Sequence, residues 1–209
     1  GRCVNIGNAY EKFEDSTYDI QAWINKAKEL GYKRIWLQAH SLGPSKVTYY
    51  MTNTPDNNVE GLIWLSPSDM LGLVKDPEGS KDHSICFEQA KEFVDNNEGE
   101  RLLNHLLWGC YKLSANTYLN FFEDGANTGI FNYKGDLGWD VVNKINVPVI
   151  AFTGTKDEGV APVIDAYEGM KILESQLINS PKKETHVYEN GVHDFTGFGE
   201  DITKRVLNF

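Results

Sequence analysis

Basic residues are scarce in this 209-residue chain. Twenty Lys and Arg stand against thirty Asp and Glu, for a formal charge of −10 and a pI near 5.0. Phosphate-backbone binding needs clustered cations, so nucleic acid is excluded as an expected partner. Long apolar runs are missing too. No stretch of about 18 apolar residues occurs, so no segment has the composition of a membrane-spanning helix. Cysteine is rare: Cys3, Cys86 and Cys110 are odd in number and lack metal-ligand spacing, which points to no metal and to reduced thiols, with a disulfide as the alternative. The chain shows no Asn-x-Ser/Thr sequon with a permitted middle residue and no basic-then-apolar leader, so the cytoplasm is the expected location. Against these absences, 41% hydrophobic and 12% aromatic residues describe a globular chain rather than a disordered one. Its length allows one sizeable domain, or one domain with an insertion.

Two periodicities alternate along the chain. Ser16 reads as the N-cap of a helix carrying Ile20, Trp23, Ile24 and Ala27, with Gly31 as its stop. The short apolar strand "KRIWLQ" follows, then the turn "AHSLG", then a helix marked by Val47, Tyr50 and Met51 with Pro44 in its first turn. Further strands are read at Gly61–Leu65, Val147–Thr153 and Glu184–Tyr188, and a terminal helix at Asp201–Phe209. Continuous apolar strands alternating with helices predict an α/β fold, with a parallel sheet covered on both faces.

Between the second and third strands, residues 66–140 are too long for a simple crossover. Helical spacing recurs there at Phe87, Ala90, Phe93 and Val94, at Leu102, Leu103, Leu106 and Leu107, and in "LSANTYLNFFED" behind Ser114. The expected organisation is a core of 1–65 and 141–209 with a helical cap at 66–140. The cap carries 13 acidic and 6 basic residues. That excess reads either as a solvated surface or as a charge that turns anionic substrates away.

The turn "AHSLG" poses the chemical question. Small residues two before and two after a serine suit a strained strand-to-helix turn that lifts a hydroxyl toward substrate. Ala39 stands where the G-x-S-x-G pattern has its first glycine, and Gly43 supplies the second. A serine nucleophile needs a base to take its proton and an acid to orient that base. Asp157 in "FTGTKDEGVAP" and His193 in "ENGVHDFTGF" each follow a strand, and Ser41, Asp157 and His193 occur in the chain order such a site requires. Glu158 and Asp69 are the competing acids. His40 is expected to point away from Ser41, and His186 lies within the last strand. In the cap, Trp108, Tyr118 and Phe122 are the candidate pocket residues, set against the alternative that these aromatics form cap core.

Read together, these motifs resemble the α/β-hydrolase superfamily over essentially the whole chain. "DIQAWINKAKELGYKRIWLQAHSLGPSKVTYY" and "LSANTYLNFF" are further similar to a family of fungal and bacterial α/β-hydrolases, some linked to siderophore metabolism. The resemblance implies a serine esterase acting on a small neutral or cationic acyl substrate without cofactor or metal. It implies Leu42 N–H as one oxyanion donor. It also implies three or four strands before the nucleophile strand and a second oxyanion donor after the third of them. Only 32 residues precede Lys33, and "GRCVNIG" resembles the tail of a segment that follows the fourth strand. The strand at Ile35–Leu37 is therefore expected to be an edge covered by an N-terminal segment or by another copy of the chain. A noncatalytic binding protein on the same fold is the alternative, because one absent oxyanion donor costs roughly 100- to 1,000-fold in turnover.

Overall fold

Four strands form a single parallel sheet in the order β1-β2-β3-β4, in a computed structural model that describes residues 8–54, 58–77, 79–135 and 139–209. The strands are β1 (Trp36–His40), β2 (Gly61–Leu65), β3 (Val149–Lys156) and β4 (Lys183–Val192). Helix α1 (Ser16–Glu29) precedes β1, and α2 (Gly43–Asn53) follows it. Helices α3 (Met70–Lys75), α4 (Gly79–Asp95) and α5 (Ala115–Phe122) lie between β2 and β3. Helix α6 (Ala166–Gln176) joins β3 to β4, and α7 (Gly199–Asn208) ends the chain. Residues 1–7, with Cys3 and the "GRCVNIG" resemblance, lie outside the described residues.

The alternation of side chains along a strand divides the core in two. Leu62, Trp64, Val149 and Ala151 belong to the large apolar cluster with Val47 and Tyr50 of α2 and Met170 and Leu173 of α6. Ile63, Ile150 and Phe152 point to the opposite face, where Ile202 and Val206 of α7 cover them. Both faces are thus buried, which is why β2 and the first part of β3 read as unbroken apolar runs. Among the described residues no strand lies outside β1, whose Gln38 and His40 are exposed.

Local expectations were met unevenly. Asp15, not Ser16, is the N-cap of α1, and the Ser16 hydroxyl donates to the Phe13 carbonyl instead. Ile24 is buried while Trp23 is 75% exposed, because adjacent residues stand about 100° apart round a helix. Ser114 does cap α5, accepting from Thr117 N–H. The helix expected at Leu102–Leu107 is absent. Leu102 bridges Ser114 and Leu107 bridges Tyr111 in antiparallel fashion, around a reversal at Trp108 and Gly109, whose φ values are 51° and 65°. Two left-handed residues in succession end a right-handed helix, and the leucines bury through the reversal instead. The buried apolar residues described in 66–140, among them Ala90, Phe93, Leu103 and Phe121, share one continuous cluster with the sheet face.

The thiols also depart from expectation. Cys110 is disulfide-bonded, whereas Cys86 is a buried free thiol on α4. Odd number and wide spacing say nothing about which cysteines the fold brings together, so the reading of three reduced thiols does not hold.

Candidate active site

Three loops at the carboxyl ends of β1, β3 and β4 converge on one spot. Ser41 follows β1 at φ 63°, a left-handed conformation that β-branched residues resist and that costs of order 1 kcal/mol. Its N–H continues the sheet by donating to the Leu65 carbonyl at 3.0 Å. A Cβ on Gly43 would sit 3.2 Å from the Ala39 Cβ. The turn therefore tolerates alanine at 39 because position 43 has no side chain. Leu42 is the N-cap of α2, so its N–H is among the helix's unpaired donors, beside Ser41.

His193 stands between Ser41 and Asp157. Its Nε2 is 2.9 Å from Ser41 Oγ, and its Nδ1 is 2.7 Å from Asp157 Oδ1. Asp157 is wholly buried, and Oδ1 accepts from Gly159 N–H at 2.9 Å and from the Ser66 hydroxyl at 2.9 Å. Its other oxygen accepts from the Thr153 hydroxyl at 3.0 Å. Burial pushes the carboxyl up, but hydrogen bonds from His193, Ser66 and Gly159, with the His193 charge, hold it below the usual carboxylate range. An ionised carboxylate can only accept, so Nδ1 carries the proton and Nε2 faces the Ser41 hydroxyl as an acceptor.

The loops meet because two strands approach closely. A Cβ on Gly154 would fall 2.1 Å from the Gly191 carbonyl oxygen, where the β3–β4 register shifts. Only glycine lets the ends of these strands come that near and carry Asp157 to His193. The histidine's backbone is held as well. Its N–H donates to the Glu158 carboxylate at 3.1 Å, and its carbonyl accepts from His40 Nε2 at 2.7 Å.

The competing acids are thereby placed. Glu158 holds the His193 backbone rather than the ring. Asp69 caps α3, accepting from Gly72 N–H at 2.7 Å and Tyr133 N–H at 3.0 Å. His186 stacks on Phe152 within β4, with no contact to Ser41 or Asp157.

A cavity of about 520 Å³ opens onto Ser41 and His193. Trp108 and Tyr111 line it, with the acidic residues Asp76, Asp82 and Glu158, and among the described residues no lysine or arginine does. A neighbouring cavity of about 710 Å³ shares Asp76 and Pro162 with it and carries Lys75 and Lys134. Tyr118 and Phe122 do not line the Ser41 cavity. They are buried in the segment between β2 and β3, ring against ring at 5.1 Å, with the Tyr118 hydroxyl paired to His83. Tyr118 is held against α4 through His83, and Phe122 packs on Tyr118 and Trp108; of the three expected pocket residues only Trp108 lines this cavity, together with Tyr111. Among the described residues no group of three or more His, Cys, Asp or Glu is placed to hold a metal ion.

Solved structures share this architecture. The siderophore hydrolase EstB from Aspergillus fumigatus superposes with a TM-score of 0.68 at 15% identity, over 94% of this chain and 74% of its own. Est1E from Butyrivibrio proteoclasticus gives 0.58 at 20% identity, over 95% and 69%. The chain has the α/β-hydrolase fold. A monoacylglycerol lipase from Paleococcus ferrophilus aligns on that fold at a TM-score of 0.57 and 21% identity, over 95% of this chain and 74% of its own. No protein-family model and no curated protein matches the sequence. Within this α/β-hydrolase fold, sequence reasoning missed Ser66, Thr153 and Gly159 around the acid. Ser66 carried a usable signal, since it too follows directly on an apolar strand.

Proposed function

We propose that this protein is a serine hydrolase of carboxylic esters, acting through an acyl-enzyme on Ser41. The observation that carries the reading is the unbroken relay Ser41 Oγ–His193 Nε2, His193 Nδ1–Asp157 Oδ1, at 2.9 and 2.7 Å. Such spacing lets His193 take the hydroxyl proton as Ser41 attacks the ester carbonyl, then return it to the leaving alcohol. Asp157 keeps the proton on Nδ1 and stabilises the imidazolium that forms. Leu42 N–H, at the positive end of α2, serves as a donor to the developing oxyanion. Water activated by the same His193 then releases the acid.

The substrate is neutral or cationic near the reacting carbonyl. Three acidic residues line the Ser41 cavity, with no lysine or arginine beside them among the described residues, and an anion entering it would meet their field. Trp108 and Tyr111 offer apolar contact to the rest of the molecule. That the fold neighbours include proteins described as a siderophore hydrolase and a monoacylglycerol lipase agrees with ester chemistry.

The test is labelling by a fluorophosphonate, which reacts with an activated serine. The protein is expected to label, and Ser41→Ala to abolish labelling without loss of fold. A folded protein that does not label refutes the reading and favours a noncatalytic binding protein.

A further inference from the structure

Ser66 belongs to neither side of the proposed proton relay, yet its hydroxyl touches both. It lies directly after β2, wholly buried, at φ 52°. Its Oγ is 2.9 Å from Asp157 Oδ1 and 2.9 Å from His193 Nδ1. A left-handed, fully buried position with no other constraint would favour glycine, which meets the backbone demand without strain. A hydroxyl held there despite the strain points to work for the oxygen.

The atoms allow one arrangement of protons. A serine hydroxyl has one hydrogen and two lone pairs, and an ionised carboxylate has no hydrogen to give. The Ser66 proton therefore goes to Asp157 Oδ1, leaving a lone pair toward His193 Nδ1. A lone pair there would repel an unprotonated Nδ1, so the ring is satisfied only with its proton on that nitrogen. Nδ1–H is then shared between Asp157 and Ser66 in a closed three-membered set of hydrogen bonds.

We propose that Ser66 is a positioning residue that locks His193 in the Nδ1–H tautomer by tying Asp157 and the imidazole together. It touches no reacting atom. The proposal rests on the serine-hydrolase reading, because a tautomer matters only if Nε2 must accept the Ser41 proton. It also makes an unusual demand on a variant at 157. With Asp157→Asn, the Ser66 proton is no longer claimed by a carboxylate and can turn to Nδ1. There it favours the wrong tautomer, so the hydroxyl that helps the native site hinders the amide variant.

The experiment is a double-mutant cycle on the fluorophosphonate labelling rate, with thermal midpoints as fold controls. In the native background, Ser66→Ala and Ser66→Gly are each expected to slow labelling about tenfold, the scale of one hydrogen bond to a charged group. In the Asp157→Asn background, the same changes are expected to leave the rate unchanged or to raise it. Equal losses in both backgrounds would assign Ser66 a merely structural role and overturn the proposal. Native rates in Ser66→Gly beside a slow Ser66→Ala would place the requirement in the backbone and overturn it likewise. If Ser66 variants label like the native protein while Ser41→Ala does not label, the proposal falls and the hydrolase reading stands. Absence of labelling in the native protein overturns both.

Discussion

Gly159→Ala isolates how closely the loop after β3 must approach the imidazole. A Cβ at 159 would lie 2.6 Å from His193 Cε1, 2.8 Å from Nδ1 and 2.4 Å from Ser68 Oγ. Ser68 is a short side chain that can rotate away. The histidine ring cannot, since Asp157 holds one nitrogen and Ser41 meets the other. Restoring ordinary contact with Cε1, which begins near 3.4 Å, requires a retreat of about 0.8 Å. The ring can yield only by lengthening one of its two hydrogen bonds. Displacing a catalytic group by about 1 Å costs on the order of 100-fold in rate. Overpacking of this kind costs roughly 1–3 kcal/mol in stability. The expected result is a kcat/KM on an activated ester lowered about 100-fold, in a protein that remains folded at room temperature by circular dichroism. Activity within twofold of native would show that the loop backs away freely, and the reasoning from the rigid ring would fail.

Asp157→Asn should lower kcat about 10³- to 10⁴-fold with little change in KM, because an amide no longer enforces the Nδ1–H tautomer; steady-state kinetics decides this. The same variant reads out the pH dependence of folding. Asp157 is held below its usual range in the fold: burial raises it, but the bonds from His193, Ser66 and Gly159 prevail. Its contribution is therefore complete above the unfolded value of about 3.9 and is lost as pH falls through the depressed folded value. Urea unfolding across acid pH should show a shallower decline in Asp157→Asn than in the native protein, and parallel declines would contradict this. Burial, with Asp82 nearby, pushes the Cys86 thiol up to about 11. Iodoacetamide at about pH 8 should leave Cys86 unmodified in the folded protein and alkylate it in urea, as mass spectrometry will report.

What could be read from the sequence was local or positional. "IWLQAHSLG" encodes strand, tight turn and helix within a few residues, because apolar period and small side chains act over that range. Asp157 and His193 were found by the same logic, each lying just past a strand whose end must face the ligand side of a parallel sheet. Tertiary structure alone decided everything that depends on residues distant in the chain. Ser66 reaches Asp157 across 91 residues of sequence, and no local pattern announces that pairing. Helical spacing at Leu102–Leu107 was real, but left-handed Trp108 and Gly109 and bridges to Tyr111 and Ser114 turned it into a reversal. Tyr118 and Phe122 are aromatic in the right segment, yet that α5 buries them in the core and leaves the cavity to Trp108 and Tyr111 is a packing outcome. The disulfide at Cys110 is of the same kind, since a bridge depends on which backbones come within reach. Composition and period decide what a segment prefers to be; which side chains share a proton is settled only when distant segments are brought into contact.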